Sequence, residues 1–415
     1  MTRFLPVLLF LLTALFVWPL WPTVAAPASP NDRVLGQVLV KFKPDTSQNT
    51  IDSELKRHGA KVTDQVAAIG VLVLAVPQNA ENRIITALLR NPNVEFAEAD
   101  YLAFATAVPD TYFNNQWGME NVGQKINGVA GKVDADINAP TAWVTTLGGV
   151  KVAILDTGIN ESHSDLTGKI VAHQDFTGSS SSYNDVYGHG THVAGIVAAN
   201  TNNGKGVAGV CPQCLLLNGK VLNDSGSGAY SWIANGITWA TNDGAKVINM
   251  SLGGSTSSRT LQNAVNYAWN NGVVITAAAG NSNNPSKTYP AAYTNAIAVA
   301  ATDNQDKRAY FSSYGAKWVD VAAPGVFVFS TWKGATSSVN PQPECDITGC
   351  YKYASGTSMS TPIVSGVVGL IWSTGYGTSA SSVRSRLEST ANKIPGTGTY
   401  WSAGRVNAAA AVTPP

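Results

Sequence analysis

The hydrophobic pattern divides the chain into three blocks. Leu5 to Leu20 is almost wholly apolar, with Arg3 before it and the small-residue stretch Val24-Ala25-Ala26-Pro27-Ala28 after it. A positive start, a short apolar run and a small-x-small site mark a secretory signal over residues 1–28, with cleavage expected after Ala28 or Ala26. The run is short for a bilayer span of about 20 residues and contains Pro6 and Pro19, which argues against a retained anchor. No later stretch is long and apolar enough to span a bilayer. The protein is therefore expected to be secreted and extracellular, with no stable membrane association.

Residues 34–105 form the second block. Val38 to Phe42 alternates as a strand, Thr50 to His58 is amphipathic and helical, and Gly70 to Val76 is a β-branched strand. Asn82 to Leu89 is helical and Val94 to Phe104 returns as a strand, with one more strand possible near Ala60–Val66. The order β-α-β-α-β predicts a small α+β, ferredoxin-like unit. It carries no titratable cluster with metal or nucleophile spacing, and His58 is expected on the solvent face of its helix.

The third block, about 108–415, alternates strands and helices. Val150 to Leu155 is continuously apolar, as a parallel strand buried on both faces must be. Helices are predicted over His192–Ala199, Leu261–Asn270, Thr361–Trp372 and Ser381–Ser389. Strands are predicted over Leu215–Val221, Ala245–Met250, Val273–Ala278, Ala296–Ala301 and Trp318–Ala322. This alternation predicts an α/β fold with a doubly wound, mostly parallel sheet, whose ligands bind beyond the carboxyl ends of the strands.

Composition narrows the function classes. The chain has 415 residues, 44% hydrophobic and 13% charged, which describes a folded protein of two to three units at roughly 150 residues per domain. With 27 basic and 26 acidic residues the net charge is +1, so no cationic excess is present for binding nucleic acid. The four cysteines, Cys211, Cys214, Cys345 and Cys350, allow three pairings. Their two close pairs suggest local bridges in an exported protein. A four-thiolate zinc site is the weaker alternative, because only the first pair has the two-residue spacing.

Four segments carry candidate chemistry. Asp156 ends the first buried strand, where a carboxylate is costly unless it is hydrogen-bonded; it either caps a loop or serves a site. In Gly188-His189-Gly190-Thr191-His192 the two histidines either bind metal from one helical face or divide their labour. In the second case His189 stands just before the helix and His192 packs behind it. Ser358, in Ser355-Gly356-Thr357-Ser358-Met359-Ser360-Thr361-Pro362, sits at a predicted helix start, with backbone N–H groups and the helix dipole nearby. That suits a nucleophile whose intermediate is an oxyanion, although Ser/Thr-rich helix starts are common. Asn281, after Ala278-Ala279-Gly280, either aims an amide at such an oxyanion or makes a turn.

The chain order Asp156, His189, Asn281, Ser358 and the motifs around these residues resemble the subtilisin-like serine proteases of the subtilase family, in their thermitase and bacterial subtilisin branch. The resemblance spans about 110–412. It implies that Ser358 attacks the scissile carbonyl, that His189 moves the proton, that Asp156 orients the imidazole, and that Asn281 with the Ser358 N–H forms the oxyanion hole. It implies substrate walls at Ser251-Leu252-Gly253 and Gly226-Ser227-Gly228, broad specificity, and an open S1 pocket lined by Ala278, Ala279 and Gly280 that takes large hydrophobic side chains. It implies a structural calcium site, with no catalytic metal, from Asp110, Asp165 and Asn203 with the carbonyls of Asn200, Lys205 and Val207. Carbonyls within 291–296 offer a weaker second site.

By the same resemblance, residues 29–107 are an inhibitory propeptide that assists folding, cut near Thr106 to Pro109, and 108–415 is the catalytic domain. Its partners are protein and peptide substrates and its own propeptide, and a monomer is the default. The paired cysteines and an insertion at 333–352 depart from the simplest members. The rival readings are a non-catalytic binding protein on the same fold and a metal hydrolase built on His189 and His192.

Overall fold

A computed structural model describes residues 33–101, 110–335 and 342–413. They form two compact units, one within 1–105 and one within 106–415. The expected signal and the expected cleavage region at 106–109 lie outside the described residues.

The smaller unit runs β1 (Arg33–Phe42), α1 (Gln48–Arg57), β2 (Lys61–Val66), β3 (Val71–Ala75), α2 (Glu81–Leu88) and β4 (Val94–Tyr101). Its strands form one antiparallel sheet in the order β2-β3-β1-β4. Val38, Val40 and Leu74 of the sheet bury against Leu55, Ile84 and Leu88 of the helices. The possible extra strand is real. It lies at the sheet edge with every residue exposed, which is why its hydrophobic period is weak. His58 is not free on the surface: it caps α1 and bonds Glu54 at 3.1 Å.

The larger unit begins with a short hairpin, β5 (Lys125–Ile126) and β6 (Val129–Ala130), then α3 (Ala139–Thr145), β7 (Lys151–Asp156), β8 (Ile170–Asp175) and α4 (His189–Ala198). It continues through β9 (Leu215–Lys220), α5 (Tyr230–Asn242), β10 (Val247–Met250), α6 (Arg259–Asn270), β11 (Val274–Ala278), β12 (Ala296–Thr302), β13 (Val321–Pro324) and β14 (Val328–Trp332). The last elements are β15 (Glu344–Asp346), β16 (Gly349–Ala354), α7 (Thr357–Trp372), α8 (Ala380–Ser389), β17 (Gly404–Arg405) and α9 (Ala408–Val412).

Eight parallel strands make the main sheet, in the order β17-β13-β12-β11-β10-β7-β9-β8. The alternation of β7 explains its two layers. Val152 and Ile154 pack with Val193 of α4 and Val367 of α7, while Ala153 and Leu155 pack with Ile237 of α5 and Val265 of α6. Each of these buried Val, Ile and Leu side chains contributes roughly 1.5–3 kcal/mol. After β7 the chain fills β8 and β9 on one side, then β10 to β13 on the other. The crevice of this doubly wound sheet therefore opens beside the carboxyl end of β7.

Two helices start earlier than their hydrophobic period predicts. α4 begins at His189, so that histidine is its first residue rather than a loop residue. α7 begins at Thr357, which places Pro362 inside the helix. Proline has no N–H for the carbonyl four residues back; that carbonyl belongs to Ser358, and the Ser251 Oγ donates to it instead at 2.8 Å.

Candidate active site

Burial sets His189 and Ser358 apart on their helices. Every residue of α4 is buried except His189, and every residue of α7 is buried except Ser358 and the terminal Trp372. Asp156, at the end of β7, is fully buried. One of its oxygens accepts from the Thr157 N–H at 2.7 Å and faces His189 Nδ1 at 2.7 Å. Burial pulls the His189 pKa down, but the charge and hydrogen bond of Asp156 and the charge of Asp185 outweigh it and hold the pKa above the ordinary histidine value.

His192 is committed elsewhere. Its Nε2 lies 2.9 Å from the Lys352 carbonyl, and burial lowers its pKa to about 3, so the ring is neutral. One ring thus meets Asp156 and the other a backbone carbonyl.

Ser358 lies in the first turn of α7. Its hydroxyl donates to the Ser251 carbonyl at 3.2 Å. The Asn281 Oδ1 accepts from the Thr357 N–H at 2.9 Å and the Thr357 hydroxyl at 3.0 Å, which orients the amide and leaves its Nδ2 as the donor. A β-carbon built on Gly356 would lie 3.3 Å from Asn281 Nδ2 and 3.6 Å from the Ser358 nitrogen. Two donors thus converge on one space that a residue without a side chain leaves open.

A cavity of about 520 Å³ reaches this point, bounded by Leu252, Gly253 and Gly254 on one side and by Ala278 and Gly280 on the other. Thr288 stands between the walls: its methyl would lie 2.5 Å from a β-carbon on Gly253, and its hydroxyl 3.1 Å from one on Gly280. Lys287, Asn284 and Ser313 add polar lining. Ala279 does not line the cavity. It is fully buried with Val319 and Trp401, because the strand's alternation turns it to the opposite side from Ala278. Gly226, Ser227 and Gly228 lie in the loop after β9, closed by the Asn223 N–H on the Ser227 carbonyl at 2.8 Å. The ring of Tyr187, two residues before His189, covers Gly226.

Sequence reasoning passed over Asp185. It is 3% exposed and accepts five hydrogen bonds. Its signal was an acid just before a helix whose own N-cap, Gly188, has no side chain.

A protein-family model described as the subtilase family matches residues 148–406, and one described as the fervidolysin N-terminal prodomain matches residues 21–100. The chain belongs to the subtilase family. It is 51% identical over 277 residues to thermitase of Thermoactinomyces vulgaris, covering 66% of this chain and 93% of that one. It is 40% identical over 384 residues to the thermophilic serine proteinase of Bacillus sp. (strain AK1), covering 92% and 88%. Among solved structures, a protease from Pseudoalteromonas arctica aligns with a TM-score of 0.63 and 36% identity, covering 74% of this chain and 99% of its own. This subtilase is accordingly a serine protease with an N-terminal prodomain, acting on peptide substrates and inhibited by that prodomain.

In the candidate cation loop of this subtilase, Asp110 and Asp165 both bond Asn203. Asp110 accepts from the Asn202 and Asn203 N–H groups at 3.0 and 2.9 Å. Asp165 accepts from the Asn203 amide at 3.0 Å and the Val207 N–H at 2.8 Å. The Lys205 N–H donates to Asn203 Oδ1 at 2.8 Å, whereas the Asn200 amide turns away to the Thr167 carbonyl at 3.0 Å. Both carboxylates are buried, at 4% and 1% exposure. Burial raises both pKa values, and with the Asp110 charge added Asp165 is pushed up to about 7. Among the described residues no three His, Cys, Asp or Glu side chains form a metal cluster, so this loop offers two acids and otherwise neutral oxygens.

Both cysteine pairs are bonded, Cys211–Cys214 and Cys345–Cys350. The second closes the β15–β16 hairpin of the insertion, which pairs with β14 in a sheet of order β14-β16-β15. The hairpin braces the site from behind. Lys352 holds His192 through its carbonyl, the Cys350 carbonyl meets His163 at 3.0 Å, and Asp346 accepts from the Tyr112 hydroxyl at 2.8 Å.

Proposed function

We propose that Asp156, His189 and Ser358 form the catalytic triad of a secreted endopeptidase of broad specificity, with Asn281 and the Ser358 N–H as the oxyanion hole. The observation that carries this reading is the 2.7 Å contact of His189 Nδ1 with buried Asp156. It fixes the proton on Nδ1 and leaves Nε2 as the base. Rotation about the Ser358 Cα–Cβ bond exchanges the Ser251 carbonyl for Nε2. The Ser358 oxygen then bonds the scissile carbonyl carbon as its proton passes to His189. The oxyanion takes hydrogen bonds from Asn281 Nδ2 and the Ser358 N–H, collapse expels the amine with the proton from His189, and water releases the acyl group by the same steps.

The substrate lies between Gly226-Ser227-Gly228 and Ser251-Leu252-Gly253 as an added strand, read through its backbone and so with little sequence selection. Leu252 and Ala278 receive the stem of a large hydrophobic P1 side chain, and Lys287 disfavours a basic one.

Calcium fits the loop at Asp110 and Asp165. Two buried carboxylates that repel each other, with the Asn203 amide and the carbonyls of Asn200, Lys205 and Val207 as further donors, make an oxygen-only set for a hard cation. Calcium there supplies stability and no chemistry. Residues 1–28 are the signal, 29–107 the propeptide and 108–415 the catalytic domain of a monomer. Among the described residues no helix is long and apolar enough to cross a membrane.

Intact mass of secreted wild type and Ser358→Ala tests the reading. Wild type is expected as a fragment starting near Val108, and the variant as a chain that keeps 29–107. Failure of wild type to be cut, together with no turnover of a peptide substrate, sinks it.

A further inference from the structure

We infer that Asp185 is a positioning residue for the general base: its buried carboxylate caps the helix that begins at His189 and tunes the imidazole through space. The inference rests on the catalytic reading above.

Asp185 gathers donors from three segments. One oxygen accepts from the Thr157 hydroxyl at 3.0 Å, the Tyr187 N–H at 3.0 Å and the Gly188 N–H at 2.7 Å. The other accepts from the Thr191 N–H at 2.9 Å and the Thr191 hydroxyl at 2.7 Å. Burial and the Asp156 charge raise the Asp185 pKa, and the bonds from Gly188 and Thr191 oppose that rise. Three of the donors are backbone N–H groups that cannot accept in return, so the arrangement suits a carboxylate.

The first turn of α4 needs such a cap. Its leading N–H groups have no intrahelical partner. The N-cap is Gly188, at φ 107°, where a β-carbon would strike the Trp332 ring at 2.5 Å. No side-chain cap fits there. Asp185 reaches in from three residues earlier for Thr191, and the Thr157 hydroxyl that it holds accepts from the Gly190 N–H at 2.9 Å. Thr157 is also the neighbour of Asp156 and donates its own N–H to that carboxylate. One carboxylate thus ties the strand end bearing Asp156 to the helix start bearing His189.

The charge acts as well as the bonds. The ionisable groups around His189 are Asp156 at the end of β7, Asp185 before α4 and His192 one turn along α4. Lys220 at the end of β9 meets the Thr157 carbonyl, and Lys352 on β16 lies behind His192. Asp185 adds to Asp156 in favouring the imidazolium. The imidazolium forms when Ser358 gives up its proton, so a second buried anion stabilises that charge separation.

The experiment is the pH dependence of kcat/KM for a peptide substrate at fixed ionic strength, in mature wild type and Asp185→Asn. The base must be neutral in the free enzyme, so the acid limb reports the His189 pKa. Loss of the Asp185 charge is expected to move that limb to lower pH while kcat falls. Asp185→Glu, which keeps the charge and spoils the cap, is expected to lose kcat with the limb in place. A purely structural role gives lower thermal stability with an unmoved limb in Asp185→Asn, and that result overturns the inference. Should Asp185→Asn not fold, Asp185→Ser carries the same test with a hydroxyl that still accepts from the helix. Failure of both to yield folded protein marks the residue as structural and also overturns it. Wild type turning over substrate in a Ser358-dependent way shows, in the same assay, that the catalytic reading stands apart from this one.

Discussion

Ser251 and Ser358 hold each other by two reciprocal hydrogen bonds. The Ser251 Oγ donates to the Ser358 carbonyl at 2.8 Å, and the Ser358 Oγ donates to the Ser251 carbonyl at 3.2 Å. The first bond exists because Pro362 offers no N–H to that carbonyl. The second ties the Ser358 hydroxyl, the proposed nucleophile, to the Ser251 carbonyl. Ser251→Ala should leave a partly buried carbonyl without its partner, at a cost of about 1 kcal/mol. Pro362→Ala supplies an N–H four residues on and should recover part of that loss. Thermal unfolding of both single variants and the double variant measures the coupling. Additive effects would mean that Pro362 and Ser251 do not share the Ser358 carbonyl.

Asn281 is held by its acceptor oxygen so that its donor is free. Asn281→Ala removes one of two converging donors and should lower kcat about a hundredfold or more with little change in KM, because the donor acts on the transition state. Steady-state kinetics on a peptide substrate check this. A kcat equal to wild type would remove Asn281 from the oxyanion hole.

Much of this site could be read from sequence because each part is a local pattern tied to a buried element. The apolar run before Asp156 and the small-residue helix after Ser358 required a strand and a helix, and the doubly wound order put their ends at one crevice. What escaped depends on contacts between distant segments. Asp185 matters because Thr157, Gly188 and Thr191 all point donors at it, and no period in the sequence records that. The resemblance puts Ala279 in the pocket with its neighbours, but the extended backbone turns alternate residues to opposite sides. The insertion's cysteines suggested a local bridge, yet its bracing of His192 through the Lys352 carbonyl needs a sheet pairing between residues 328–332 and 349–354. The hydrophobic period misses the helix starts at His189 and Thr357 because their first turns carry Gly, Ser and Thr where it expects apolar residues.

Among the described residues, Lys287 is the cation lining the cavity proposed as S1, and no acid lines it. Basic P1 side chains should therefore be disfavoured against neutral ones of similar length. Lys287→Glu is expected to raise the kcat/KM ratio of P1-Lys to P1-Met peptides about fivefold, the scale of an exposed charge pair. The gain should shrink at high salt as screening grows. An unchanged ratio at low salt would place the Lys287 ammonium out of reach of the P1 side chain.

The cation loop makes a prediction whose sign follows from its pKa values. The Asp165 carboxyl is pushed from 3.8 up to about 7 by burial and by Asp110. A group raised in the folded state contributes stability that is complete below its ordinary value and lost as pH rises through the folded one. Chelator-treated mature protein should thus lose thermal stability between about pH 4 and pH 7. Calcium held at the proposed site would offset the repulsion of the two ionised carboxylates, so added calcium should raise Tm most at the upper end of that window and little at its lower end. Asp165→Asn should flatten the pH dependence and weaken the calcium response together. Scanning calorimetry across this range, with and without calcium, measures all three. A calcium response equally large at both ends would mean that the ion acts somewhere other than on Asp110 and Asp165.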